Sequence, residues 1–121
     1  MPVIIGDLVN RFNVDDDNNP LYQLDGTDGV ERITIGGRTF VYAVGRGEGG
    51  ISGFELGSDG TLDGVVNISL GDLPALIGAM HVQSATIGGT SFLYVNGGDN
   101  INVFQAAPDG DLTHVQTFTD T

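Results

Sequence analysis

Few residues in this 121-residue chain can do chemistry, and their types narrow what that chemistry is. Cysteine is absent, so there is no thiolate nucleophile, no thiolate metal site and no disulfide framework, and the redox compartment stays open. The densest run of candidate ligands is Asp15-Asp16-Asp17-Asn18-Asn19, with Asp25-Gly26-Thr27-Asp28-Gly29 close behind. Oxygen ligands at alternate positions resemble the start of a calcium loop. The match fails twice, because the sixth position from Asp15 is not Gly and the twelfth is not Glu. Asp and Asn also favour tight turns for backbone reasons. The turn is therefore the reading adopted, and calcium stays open as the alternative.

His81 and His114 are the only histidines, and neither has the acidic neighbours of a zinc site or a triad. His114 is expected to face solvent, because the neighbouring Val115 matches an inward-facing Val65. His81 opens a strand from which it can reach the mouth of a central channel. Gly45-Arg46-Gly47-Glu48-Gly49-Gly50 superficially resembles a phosphate loop, but it lacks the Lys-Ser/Thr pair and a following helix. It reads as a hairpin loop in which Arg46 is available to an anion or to a carboxylate of a neighbouring chain. No catalytic, cofactor-binding or metal-ligating residue is assigned.

The charge balance excludes whole classes of partner. Sixteen acids against four bases give a formal charge of −12, and 13 of the 16 acids are Asp. Such a surface repels nucleic acid and anionic membranes. No apolar run approaches the roughly 20 residues that span a bilayer, and Met1 to Asp7 has neither the basic nor the apolar region of a signal peptide. Cations screen the self-repulsion of an Asp-rich surface, which points to an extracellular or cell-surface setting.

The elements that hold these residues are set by a repeat. Ile35-Gly36-Gly37-Arg38-Thr39-Phe40-Val41-Tyr42 returns 52 residues later as Ile87-Gly88-Gly89-Thr90-Ser91-Phe92-Leu93-Tyr94. Ile51-Ser52-Gly53-Phe54, then Asp59-Gly60-Thr61-Leu62 and Val65, return 50 residues later as Ile101-Asn102-Val103-Phe104, Asp109-Gly110-Asp111-Leu112 and Val115. Alternation of apolar and polar residues predicts four strands per repeat. They are 31–35, 39–44, 51–56 and 61–69 in the first repeat, then 82–87, 91–96, 101–106 and 112–119 in the second. The Gly-Gly pairs predict tight hairpins. Val9 to Val14 and Leu21-Tyr22-Gln23-Leu24 match the third and fourth strands, so the chain reads as one domain over 1–121. It comprises a half blade (1–30), a blade (31–80) and a blade (81–121). The connector Leu70 to Met80 lacks strand alternation and admits a short helical turn, with Leu73, Leu76 and Ile77 packed between blades. Phe40, Tyr42, Phe54, Phe92, Tyr94, Phe104 and Phe118 recur at matching positions and read as core between blades.

The pattern Ile-Gly-Gly-x-x-Phe-aliphatic-Tyr, then Ile-x-x-Phe, then Asp-Gly-x-Leu, resembles the β-propeller repeats of lactonase-like (6-phosphogluconolactonase-like) proteins and of large secreted bacterial repeat proteins. The resemblance runs from Val9 to Thr119 and implies an all-β fold of antiparallel four-stranded blades. Full members carry about seven blades, whereas this chain has about two and a half, so completion by oligomerisation is expected. The expected role is a non-catalytic module for self-assembly or binding, with other copies of the chain as partners. A carbohydrate-binding oligomeric propeller is the alternative, with Tyr22 its main exposed aromatic. A lactonase-like hydrolase comes third, because no convergent acid/base set is visible.

Overall fold

The computed structural model describes residues 22–24, 26–47 and 49–120. Among these residues it is all-β, with eight strands: β1 (Thr27–Ile35), β2 (Arg38–Gly45), β3 (Gly50–Leu56), β4 (Leu62–Ile68), β5 (Ala79–Ile87), β6 (Thr90–Gly97), β7 (Asn100–Ala106) and β8 (Leu112–Thr119). They form two antiparallel four-stranded sheets, ordered β1-β2-β3-β4 (sheet 1) and β5-β6-β7-β8 (sheet 2). Each sequence repeat is thus one sheet in up-and-down order.

The turns follow from glycine. Gly36-Gly37 and Gly88-Gly89 adopt φ of 56° and 81°, and 58° and 82°. Two consecutive positive-φ residues make the hairpin turn whose twist matches that of the flanking strands. Even the irregularities repeat. A bulge lies between Thr27 and Gly29 in sheet 1 and between Ala79 and His81 in sheet 2. A second pair opposes Gly53/Phe54 and Val103/Phe104, leaving Val65 and Val115 as the extra residues. The first pair carries β1 and β5 further towards the N-terminus than alternation indicates, because an extra residue breaks the period of two without ending the pairing. The second pair does not give its two valines one environment, since Val115 is exposed whereas its counterpart Val65 packs against the core.

Tyr22 to Leu24 form no strand, which corrects the expectation of a fourth-strand equivalent there. The segment instead occupies the place that Pro74–Leu76, a single 3-10 turn, takes before sheet 2. Gly26 and Gly78 follow the two segments with φ of 65° and 73°. A Cβ on Gly26 would come 3.0 Å from the Gly47 nitrogen, and one on Gly78 would come 3.1 Å from that of Gly98. Residues 22–24 are therefore a connector. Val9 to Val14, the Asp15–Asn19 cluster and Asp25 lie outside the described residues. In the second connector Leu76 is buried and Leu73 packs against the core, but Ile77 is 60% exposed, contrary to expectation. The turn spans only three residues, and Ile77, with φ of −53° and ψ of 129°, has already left the helical conformation.

One core runs through both sheets. Strand alternation and register put Ile33, Phe40, Tyr42, Val44 and Ile51 on a single face of sheet 1, its front face. Val82, Leu93, Val95, Phe104, Ala106 and Leu112 share the opposite face of sheet 2, its back face. These residues and Leu76 form a single buried cluster, so the front of sheet 1 is stacked on the back of sheet 2. β1 and β5 run side by side, and a Cβ on Gly29 would meet the Met80 carbonyl at 3.0 Å. The Tyr42 hydroxyl crosses the joint and donates to the Gly110 carbonyl at 2.6 Å.

Candidate docking face

Sheet 2 has a second face, and its residues follow from the same register. In β6, Phe92, Tyr94 and Asn96 point away from the core while Leu93 and Val95 point into it. Tyr94 stands opposite Gln83 and Val103, Asn96 opposite His81 and Ile101, and Ile101 opposite Phe118. This front face of sheet 2 carries Ala85, Ile87, Phe92, Tyr94, Ile101, Val103 and Phe118. Ile87, Ile101 and Phe118 are 61%, 47% and 62% exposed. The equivalent of Ile101 in sheet 1 is Ile51, which is fully buried, as are Phe40 and Tyr42, the equivalents of Phe92 and Tyr94. The sequence is nearly the same in the two places. What differs is that sheet 2 covers the first, and no described element covers the second.

The face is also free of formal charge. None of β5 to β8 contains Asp, Glu, Lys or Arg, in a chain with 16 acids and four bases. The strands of sheet 1 hold Asp28, Glu31, Arg32, Arg38, Glu55 and Asp63. Loss of charge at the centre of a surface patch is the compositional mark of an interface. Alternation alone gave the aromatics of the two repeats one role. The charge-free strands were the signal that separates them, and Phe118 is thereby corrected from core to surface. Part of the face hollows into an open cleft of about 220 Å³ lined by His81, Gln83, Tyr94, Asn96 and Ile101.

No family model matches the chain, and no curated protein matches it. The face is therefore interpreted from its own geometry.

The joint that already exists shows what such a face does when covered. Gly110, with φ of 89°, lets the β7–β8 turn lie on Phe40, whose ring would be 2.5 Å from any added Cβ. The Tyr42 hydroxyl is held neutral here. Burial first, then the negative Asp109 and Asp111, push its pKa up to about 12. At the rim, Arg38 makes a two-point contact with Glu55, Nε–Oε2 2.9 Å and Nη2–Oε1 2.7 Å. That hydrogen bonding lowers the Glu55 pKa and raises that of Arg38.

The residues singled out from sequence do not converge. His81 sits on the front of sheet 2, and His114 on its back, edge-on to Phe104 with ring centroids 5.5 Å apart. His114 is exposed, as expected. Its Nε2 lies 2.8 Å from Thr117 Oγ1, which donates to Asn102 Oδ1 at 2.7 Å. The Thr117 proton being spent on Asn102, His114 Nε2 is the donor to Thr117. Asn102 Nδ2 then donates to the Ala75 carbonyl at 3.0 Å, so this chain of bonds fastens the connector to the sheet. Arg46 is paired within the chain, 3.1 Å from Asp28. Tyr22 is half-buried, its ring edge-on to Phe54 at 5.2 Å, which removes it as an exposed stacking platform. Among the described residues, no three His, Asp or Glu side chains converge on one point.

Proposed function

We propose that the chain is a non-catalytic propeller-type repeat module that acts in self-assembly or binding through the front face of sheet 2. One observation carries this reading. The face that sheet 2 buries on sheet 1 recurs on sheet 2 itself, largely apolar, uncharged in its strands and uncovered by any described element. An apolar sheet face in water is unfavourable by about 25 cal/mol per Å², and repeat arrays relieve this by adding another unit. The four-strand order of each sheet and the matching bulges support the propeller-type, lactonase-like resemblance, and the Asp-rich surface favours an extracellular or cell-surface setting.

The test is the solution mass of the 121-residue chain by light scattering. A multiple of 12.6 kDa, or filaments, supports the reading. Ile101→Ser with Phe118→Ser should then return the monomer. A wild-type chain that stays monomeric at millimolar concentration overturns it as far as self-assembly is concerned.

The cleft favours a second reading, carbohydrate binding. Tyr94 offers an aromatic face beside the imidazole of His81 and the amides of Gln83 and Asn96, groups that suit sugar hydroxyls. Glycan-array binding that is lost in Asn96→Ala, with the chain monomeric, would select this reading over assembly.

A further inference from the structure

We infer that the occupant of the open face is sheet 1 of a second copy, seated as sheet 2 is seated on sheet 1, with the Tyr94 hydroxyl donating to that copy's Gly60 carbonyl. This rests on the assembly reading and adds the partner and the register. The internal joint defines the contact: Tyr42 donates to Gly110, and Gly110 lies on Phe40. The repeat offsets turn these residues into Tyr94, Gly60 and Phe92.

Both halves of the translated contact are in place. The β3–β4 turn has the same geometry as the β7–β8 turn. Gly60 and Gly110 have φ of 88° and 89°. Gly57 N–Thr61 O is 2.8 Å and Gly60 N–Gly57 O is 3.0 Å, against 2.8 and 2.9 Å for Ala107 N–Asp111 O and Gly110 N–Ala107 O. Asp59 and Asp109 each accept the backbone N–H two residues on, at 3.1 Å. The surroundings differ. Gly110 is buried under Phe40, whereas Gly60 is exposed, with no atom within 4 Å of where a Cβ would stand. The chain thus presents a docking turn at one end and a matching aromatic face at the other.

The contact joins different surfaces of the two copies, so it does not satisfy itself. It repeats until a ring closes or a filament grows. The joint between copies lacks one feature of the internal one. Internally, Asp109 acts on the charge of Arg38. Between copies Asp59 would meet Thr90, which is uncharged.

The chain has no cysteine, so cross-linking tests the register without background. Thr90→Cys and Ser58→Cys are made in separate chains, mixed, and treated with a short bismaleimide. A covalent dimer that forms from the mixture and from neither variant alone supports the inference. Association in scattering without that dimer overturns the register and leaves the assembly reading standing. A dimer from Thr90→Cys alone overturns the inference in favour of a two-fold joint, and no association at any concentration overturns both. Tyr94→Phe should weaken association about fivefold to tenfold, the loss of one net hydrogen bond. An unchanged affinity there would also overturn the assigned contact.

Discussion

Tyr42 and Tyr94 occupy one position of the repeat and lead different lives, which makes them the most informative residues here. Tyr42 is fully buried and its hydroxyl satisfies the Gly110 carbonyl. Tyr42→Phe keeps the ring but leaves that carbonyl unpaired inside the joint, so it should cost about 1–3 kcal/mol in chemical denaturation. The same residue sets an alkaline limit. Its folded pKa is raised to about 12 from the ordinary 10.0. The folded state therefore holds this proton more tightly than the unfolded one. Its contribution is fully present below the unfolded value and declines as pH rises from there through the folded value. Wild-type stability should fall across that window more steeply than that of Tyr42→Phe. Parallel curves would mean that Tyr42 is not the group responsible.

At the scale of elements, all eight strands were legible, because half-buried strands alternate and the Gly-Gly and Asp-Gly turns interrupt them. The strand ends were less so. Bulges at Asp28 and Met80 shift the alternation by one residue while pairing continues. The connectors misled for a different reason. Leu21-Tyr22-Gln23-Leu24 has the composition of a strand, and only the alignment of residues 22–24 with Pro74–Leu76, each followed two residues on by a positive-φ glycine, reveals the role of those three. What holds such a connector is a side-chain bond that repeats with its partners exchanged. Ser52 Oγ accepts from Gln23 N and donates to Asn67, whereas Asn102 donates to the Ala75 carbonyl and accepts from Thr117. Asn102 is almost fully buried, so Asn102→Ala strands Thr117 and weakens the hold on Leu76. A loss of about 1–3 kcal/mol is expected, with faster amide exchange at residues 75–78 than in β6. Equal exchange in both would show that the network does not anchor the connector.

For the whole molecule, alternation told which face each side chain takes but not whether that face is covered. Sequence treated Phe104 and Phe118 alike, although one is buried and the other 62% exposed. Coverage is decided by which sheet follows, a long-range fact that only the charge distribution foreshadows. That distribution also fixes how the open face should behave. The proposed joint sets the charge-free strands of sheet 2 against sheet 1 of a second copy, so no ion pair forms across these strands, yet each copy carries −12. Contact energy is then nearly independent of salt, while the approach of two polyanions is opposed over a screening length of about 10 Å at 0.1 M salt and about 3 Å at 1 M. Self-association measured by sedimentation from about 0.01 M to about 1 M sodium chloride should therefore tighten as salt rises. An interface held by ion pairs would loosen over the same range, so weakening with salt would place the joint between two charged surfaces and take it off the front of sheet 2. Ile101→Ser should lower the affinity by a similar factor at every salt concentration, because it removes contact area and leaves the net charge unchanged.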